Sequence, residues 1–169
     1  MKVALDIDDT LAQFYPAACK YFGKEVVQTD IWDMDGYASF IPQNYEEILH
    51  NKKFWTNLEI LSPPESINFD FFCYMTSLSV ERFDERVRWI ESNKYPNKPI
   101  VFTEDKISMC LSLGIDVIID DKPQTIEEAR SVGILGILFR PPYMTDNGKP
   151  CITDLREVTQ FLEWHGVAQ

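Results

Sequence analysis

The chain has 169 residues and a mass of 19.7 kDa, and 45% of its residues are hydrophobic, which suits one domain with a buried core. Its 16 basic and 27 acidic residues give a formal net charge of -11, which opposes binding to duplex nucleic acid and to anionic membranes. Because the four cysteines form no Cys-x-x-Cys pair and no signal-peptide core or membrane-length apolar run is present, we expect a cytoplasmic protein without a disulfide framework or thiolate zinc site.

Short apolar runs that end in polar residues alternate with helical patterns over most of the chain. The predicted strands are Val3–Leu5, Phe71–Met75, Ile100–Phe102, Val117–Ile119 and Ile134–Phe139. The predicted helices are Leu11–Gly23, Val80–Ser92, Lys106–Gly114, Pro123–Val132 and Thr153–Trp164. Pro16 either kinks the first helix or belongs to its first turn. Strands that alternate with helices pair in parallel, so we expect a doubly wound, three-layer, Rossmann-like α/β fold.

Residues 24–65 interrupt this alternation. Periodicity is poor in this segment, aromatic residues are frequent, and Ser62-Pro63-Pro64 marks a turn near its end. The pattern predicts a small helical cap inserted after the first strand, with 1–23 and 66–169 forming the core domain. The aromatic residues of the insert either build a small core or line a pocket. Phe14, Trp32 and Phe54 are the candidates for the pocket lining.

Carboxylates and hydroxyls follow four of the predicted strands, at the edge of the sheet where open α/β proteins bind ligands. They are Asp6, Asp8, Asp9 and Thr10 after the first strand, Thr76 and Ser77 after the second, the run from Thr103 to Lys106 after the third, and Asp120 and Asp121 after the fourth. Acidic residues from two strands repel each other unless a cation lies between them, and their hard oxygen atoms suit Mg²⁺. A lysine and hydroxyl groups opposite this cation suit a bridging anion, for which phosphate is the obvious choice.

These residues resemble the motifs of a known superfamily. The run Asp6-Ile7-Asp8-Asp9-Thr10 is similar to the first motif of haloacid-dehalogenase-type (HAD) phosphatases, and the other three motifs have counterparts in chain order. The counterparts are Thr76, Lys106 and Asp120-Asp121. Within that superfamily the chain most resembles the 5′(3′)-deoxyribonucleotidases, through the segments Phe54–Glu59, Tyr74–Ser77, Thr103–Lys106 and Ile118–Pro123. The resemblance implies a HAD-type fold and a Mg²⁺-dependent phosphomonoesterase acting on (deoxy)nucleoside monophosphates.

The resemblance also implies a role for each matched residue. Asp6 would attack phosphorus and form an aspartyl-phosphate, and Asp8 would act first as general acid and then as general base. Thr76 and Ser77 would donate hydrogen bonds to phosphate oxygens, and Lys106 would neutralise charge on the transferring group. Mg²⁺ would be held by Asp6, the main-chain carbonyl of Asp8, Asp120 and Asp121.

Structural alternatives stay open for two of these features. Asp9 and Thr10 could serve only as the N-cap of the following helix. Lys122 is interpreted as a charge partner of Asp121 rather than as a catalyst. Two other functions also stay open: a phosphatase for another small phosphate ester such as a sugar phosphate, and a non-catalytic phosphometabolite-binding module on the same fold. The expected partner is a small phosphate ester, and self-association into a homodimer is left open.

Overall fold

A computed structural model of the chain describes residues 1–166. The strands are β1 (Val3–Leu5), β2 (Cys73–Thr76), β3 (Ile100–Phe102), β4 (Val117–Asp120) and β5 (Leu135–Leu138). The helices are α1 (Phe14–Tyr21), α2 (Phe40–Gln43), α3 (Tyr45–Leu49), α4 (Lys52–Thr56), α5 (Phe83–Ser92), α6 (Lys106–Leu113), α7 (Pro123–Ser131) and α8 (Val158–Trp164). None of these helices has the length and apolar character needed to cross a membrane.

The five strands form one parallel sheet in the order β3-β2-β1-β4-β5. Strand β1 lies at the centre, where Leu5 pairs with Tyr74 of β2 on one side and with Ile119 of β4 on the other. The strand order reverses at β1, so the crevice beyond the carboxyl ends of β1 and β4 is the expected ligand site of such a sheet. This architecture confirms the predicted doubly wound α/β fold.

Apolar side chains cover both faces of the sheet. Leu5 and Trp89 belong to the cluster on one face, whereas Ala4 and Ile118 belong to the cluster on the other. Successive residues of a strand point to opposite faces, so a strand buried on both sides must be apolar throughout. This is the physical reason why β1 and the first three residues of β4 appear in the sequence as unbroken apolar runs.

The first helix begins later than predicted. Helix α1 starts at Phe14 because the preceding residues form a tight turn, in which the backbone N–H of Leu11 donates to the carbonyl of Ile7 at 2.8 Å. This start places Pro16 in the first turn of the helix, where a missing N–H costs little. The alternative of a kinked helix is therefore excluded.

Two other predicted helices begin with a single 3₁₀ turn. Val80–Arg82 precedes α5, and Leu155–Glu157 precedes α8. The side chain of Ser79 accepts the N–H of Glu81, and Asp154 forms a capping box at the start of the second turn. Side-chain oxygens at these positions satisfy backbone donors that have no partner inside the helix.

The segment 24–65 carries α2, α3 and α4 between α1 and β2. Two of its aromatic residues, Phe54 and Trp55, belong to the same apolar cluster as Leu5 of β1, whereas Phe40 packs against a separate small cluster. The indole N–H of Trp55 donates to the carbonyl of Ile48 at 3.0 Å, which fixes α4 against α3. Helix α4 also packs against α5. On this side, the insert and the sheet share one hydrophobic core.

Candidate active site

Three carboxylates from neighbouring strands meet at the carboxyl edge of the sheet. Asp6 follows β1, Asp120 is the last residue of β4, and Asp121 comes next. The backbone N–H of Asp6 donates to the carbonyl of Ile119 at 3.0 Å, which holds the two strand ends side by side. One carboxylate oxygen from each of the three residues lies within 4.8 Å of the other two, and all three side chains are buried. Like charges this close inside a protein are costly unless a cation lies nearby or one of the groups takes up a proton.

Lys106 supplies part of that positive charge. Its Nζ donates to Oδ1 of Asp6 and to Oδ2 of Asp120, both at 2.6 Å. Lys106 opens helix α6, which is capped by Asp105 through a hydrogen bond from the backbone N–H of Ser108. Burial by itself lowers the pKa of a lysine, but Asp120 and Asp6 raise the pKa of Lys106 above its ordinary value. The ammonium therefore stays charged.

One lysine does not balance three carboxylates. Burial raises the pKa of Asp6 to about 7 in spite of the opposing effect of Lys106, and the charges of Asp120 and Asp8 add to the rise. Burial, followed by the charges of Asp120 and Asp6, also raises the pKa of Asp121 well above its ordinary value. Carboxylate oxygens are the ligands that Mg²⁺ prefers. The donor set of Asp6, Asp120 and Asp121 therefore fits a divalent cation.

Asp8, two residues beyond Asp6, has different partners. Nη2 of Arg86 donates to both of its carboxylate oxygens, at 2.7 and 2.8 Å, and the hydroxyl of Thr76 donates to Oδ2 at 3.2 Å. Arg86 lies on α5 and is fully buried, with its guanidinium carbon 5.6 Å from the ring of Trp55 and 6.0 Å from that of Trp89. The side chain of Asp8 is 23% exposed to solvent. Asp8 is thus a firmly oriented carboxylate at the surface of a cavity.

That cavity has a volume of about 750 Å³ and is lined by Asp8, Lys106 and the three clustered carboxylates. Apolar and aromatic side chains of α1 and the insert also line it, namely Phe14, Ile31, Trp32, Met34, Ile41, Pro42, Tyr45 and Trp55. The rings of Phe14 and Trp55 stack with centroids 5.6 Å apart and an interplanar angle of 14°. A concave site of this size, with mostly apolar walls and a few convergent polar groups, suits a small organic ligand.

Trp32 connects the insert to the carboxylate cluster. Its Nε1 donates to Oδ2 of Asp121 at 3.1 Å, and Nζ of Lys122 lies 4.9 Å from the centroid of the indole ring. The backbone N–H of Lys122 donates to Oδ1 of Asp120 at 2.9 Å. The interpretation of Lys122 as a charge partner of Asp121 is wrong, because within residues 1–166 its ammonium forms no ion pair and contacts an aromatic face instead.

The predicted substrate-binding residues occupy different positions. Phe14, Trp32 and Ser77 line the cavity, and Ser77 is exposed. Thr76 is fully buried, and its hydroxyl donates to Asp8. In this arrangement Thr76 orients the carboxylate of Asp8, whereas Ser77 presents its hydroxyl to the cavity.

Phe54 is not among the described residues that line the cavity. It is buried in the core and packs edge-on against Phe14, with ring centroids 5.8 Å apart. The prediction that Phe54 lines the pocket is therefore wrong. Phe54 and Trp55 are consecutive on α4 and so point in different directions, and Trp55 is the one that reaches the cavity.

Asp9 belongs to the framework of the site. Its φ of 55° lies in the left-handed region, which is costly for a residue other than glycine. Its buried carboxylate accepts the N–H of Tyr15 at 2.9 Å and the hydroxyl of Tyr143 at 2.6 Å. Burial nevertheless raises the pKa of Asp9 to about 7. Asp9 does satisfy a donor in the first turn of α1, whereas the hydroxyl of Thr10 has no hydrogen-bond partner within residues 1–166.

The sequence analysis missed Arg86 and Tyr143. Arg86 precedes Trp89 by three residues and Ile90 by four, so helical spacing puts it on the buried face of α5. A charged residue in phase with an apolar stripe was the available signal. Tyr143 lies 134 residues from Asp9, in the loop after β5, and no local pattern indicates its contact.

No family model and no curated protein matches the chain. Among solved structures, a haloacid dehalogenase-like protein of unknown function from Agrobacterium tumefaciens is 12% identical, with a TM-score of 0.62 over 97% of this chain and 98% of that one. An L-2-haloacid dehalogenase is 10% identical, with a TM-score of 0.63 over 96% of this chain and 98% of that one. A HAD-superfamily hydrolase of subfamily IA from Geobacter sulfurreducens is 15% identical, with a TM-score of 0.55 over 95% of each chain. The chain therefore has the haloacid dehalogenase-like fold.

Proposed function

We propose that the protein is a Mg²⁺-dependent phosphomonoesterase that hydrolyses (deoxy)nucleoside monophosphates through an aspartyl-phosphate. The observation that carries this proposal is the position of Lys106, which bridges Asp6 and Asp120 beside Asp121 in a cavity of about 750 Å³. In such a site, the lysine can stabilise the charge of a phosphoryl group, and the carboxylates can bind a divalent cation. A haloacid substrate offers no phosphoryl oxygens, so it would need neither the lysine in this role nor the cation.

Asp6 is the nucleophile in this proposal. Lys106 holds its Oδ1, whereas its Oδ2 accepts no hydrogen bond from residues 1–166 and can attack phosphorus. Formation of the Asp6–phosphoryl bond breaks the ester bond, and water then cleaves the aspartyl-phosphate to release phosphate and restore Asp6. Mg²⁺ held by Asp6, Asp120 and Asp121 would offset the charge that otherwise keeps a carboxylate away from a phosphate anion. Lys106 adds a fixed positive charge beside the transferring group.

Asp8 is the general acid and base. Its carboxylate lines the cavity, and Arg86 and Thr76 hold it in one orientation. In the first step Asp8 donates a proton to the departing alkoxide oxygen, and in the second step it removes a proton from the attacking water. Ser77 lines the same cavity and provides a hydroxyl for a phosphate oxygen.

The walls of the cavity support a nucleotide as the substrate. Phe14, Trp32, Tyr45 and Trp55 offer aromatic surface to a base. Residues 24–65 would form a cap over the core domain of residues 1–23 and 66–169, and Trp32 would be its contact with the catalytic carboxylates. A sugar phosphate is the second candidate, because Glu104, Asp105 and Glu128 also line the cavity and can accept hydrogen bonds from sugar hydroxyls.

Phosphate release from deoxynucleotides, ribonucleotides, sugar phosphates and p-nitrophenyl phosphate, with Mg²⁺ and with excess chelator, tests the proposal. We expect Mg²⁺-dependent turnover that is highest on a base-bearing ester. Asp6→Asn should lower kcat by roughly 10⁴-fold or more, as loss of a nucleophile does, with an unchanged fold by circular dichroism. Asp35→Asn, an exposed residue outside the cavity lining, is the matched control. Full turnover of Asp6→Asn or of the chelated enzyme would contradict the proposal.

A further inference from the structure

The cavity carries further negative charge outside the cluster of Asp6, Asp120 and Asp121. Asp33 of the insert, Glu104 and Asp105 in the loop after β3, and Glu128 of α7 all line it and are exposed. In the described part of the chain, none of the four carboxylates forms an ion pair. Their hydrogen-bond donors are neutral: Glu128 accepts from the side-chain amide of Gln124 at 3.1 Å, and Asp105 accepts from Ser108. Within residues 1–166, no ion pair therefore compensates the negative charge of these four residues.

Two positively charged residues of the described chain line the cavity, Lys106 and Lys122. Lys106 donates to two carboxylates at 2.6 Å, and its task in the reaction is the transferring phosphoryl group. The ammonium of Lys122 lies 4.9 Å from the centroid of the Trp32 ring. Arg86 is fully buried behind Asp8 and does not line the cavity. No further lysine or arginine lines the cavity within residues 1–166, so a second anionic group on a ligand would have Lys122 alone to set against four exposed carboxylates.

Uncharged side chains line the same cavity. Among them are Ile41, Pro42, Tyr45 and Trp55, and the ring of Trp55 stacks on that of Phe14. Aromatic faces attract cations through the ring quadrupole, and this attraction adds to that of the carboxylates. An organic group inside the cavity therefore experiences a field that favours positive charge and disfavours negative charge.

We propose that the cavity selects its phosphate monoesters by the charge of their organic part, favouring a cationic amine, accepting a neutral group and rejecting a second anionic group. The proposal rests on the proposed function for the assignment of the phosphoryl position. The carboxylates are exposed and screened by salt, so each contributes modestly. Together, four such charges should change the relative kcat/KM by roughly tenfold for each unit of substrate charge at low ionic strength.

Two matched pairs of compounds test the inference. Glucosamine 6-phosphate and glucose 6-phosphate differ by one ammonium group, and deoxyadenosine 3′,5′-bisphosphate and deoxyadenosine 5′-monophosphate differ by one phosphate. We expect kcat/KM to be about tenfold higher for the amino sugar than for glucose 6-phosphate, and at least tenfold lower for the bisphosphate than for the monophosphate. Within each pair, the difference in kcat/KM should become smaller as the salt concentration rises from 0.05 to 0.5 M. Isothermal titration calorimetry with Mg²⁺ should give the same order of Kd values.

The variant that tests the mechanism is Glu104→Gln combined with Glu128→Gln, which removes two charges and leaves the α6 cap residue Asp105 in place. In this variant, the kcat/KM ratio of glucosamine 6-phosphate to glucose 6-phosphate should fall about threefold or more. The kcat/KM ratio of the monophosphate to the bisphosphate should fall by a similar factor. The control is Glu127→Gln, the neighbour of Glu128 on α7, because Glu127 is outside the lining and pairs with Lys149. Equal values within either pair, or unchanged ratios in the double variant, would overturn the inference. Absence of turnover on every ester would instead contradict the proposed function, and the calorimetric ratios would still decide the charge selection.

Discussion

Asp6 and Asp8 are two residues apart at the end of the same strand, yet their environments are opposite. Asp6 is buried among two other carboxylates with Lys106 as the shared cation. Asp8 is partly exposed and forms an ion pair with Arg86, and Thr76 is a second hydrogen-bond donor to it. The first environment has too little positive charge and raises the pKa of Asp6 to about 7, chiefly through burial.

The difference shows how one strand end provides for two kinds of chemistry. A carboxylate short of positive charge attracts a divalent cation, and with it a phosphate anion. A carboxylate locked by an arginine keeps its orientation and needs no metal. Because side chains two residues apart in extended backbone lie on the same side, both groups can reach one ligand.

The largest effect is expected where the Asp8 environment is broken. Arg86→Met leaves the Asp8 carboxylate without its ionic partner and should lower the free energy of unfolding by about 3 kcal/mol, the low end for a buried pair, because Asp8 is partly exposed. Arg88→Met, an exposed change on the same helix, is the matched control. Denaturant unfolding measures both variants. If Arg86→Met were as stable and as active as Arg88→Met, Asp8 would not depend on this partner.

A substitution in the environment of Asp6 should lower the turnover number. Lys106→Ala removes the ammonium that bridges Asp6 and Asp120 and should lower kcat by roughly 10²- to 10³-fold, as loss of one preorganised electrostatic group does. Lys122→Ala should lower kcat by less than about tenfold, since the ammonium of Lys122 contacts the Trp32 ring. Steady-state kinetics with saturating Mg²⁺ compares the two variants. The assignment fails if the Lys122 variant is the inactive one.

The raised pKa values of the Asp6 environment predict how pH and Mg²⁺ act together. The pKa of Asp6 in the folded protein, about 7, exceeds its ordinary value of 3.8. Its contribution to stability is therefore present below about pH 4 and is lost as pH rises through 7. After chelation, Tm should fall between pH 5.5 and 8, and Mg²⁺ should raise Tm more at pH 8 because the ligands no longer need to release protons. Thermal unfolding measures both trends, and Asp6→Asn should reduce them. An equal Mg²⁺ effect at both pH values would contradict the assigned ligands.

The smallest effect concerns the link between the insert and the carboxylates. Trp32→Phe keeps the ring but removes the indole donor to Asp121, so Mg²⁺ affinity should fall by about tenfold while Tm without metal stays nearly constant. Trp164→Phe is the control, because Trp164 is 77% exposed and outside the cavity. Calorimetric titration with Mg²⁺ gives both affinities. Equal affinities in the two variants would show that Asp121 does not need the Trp32 hydrogen bond.

Local patterns in the sequence predicted most of the fold. Val3–Leu5 and Ile100–Phe102 have the predicted bounds, since short apolar runs between polar residues leave few alternatives to a buried strand. Helix α6 ends at Leu113, one residue before the predicted end, because Gly114 adopts φ 63°, a left-handed conformation that suits glycine after a helix. The convergence of Asp6, Lys106 and Asp120 followed from parallel topology, which brings strand ends to one edge.

Tertiary structure decided the partners of the candidate catalytic groups. The sequence pattern could not show that Arg86 pairs with Asp8, 78 residues away, nor that Tyr143 pairs with Asp9. It also could not distinguish Phe54 from Trp55, because the direction of each ring depends on which neighbours fill the core. Periodicity reports burial along one element, whereas a buried ion pair or a pocket wall depends on which elements pack together. The sequence by itself therefore determined the residue types at the sheet edge, and packing determined which of them touch.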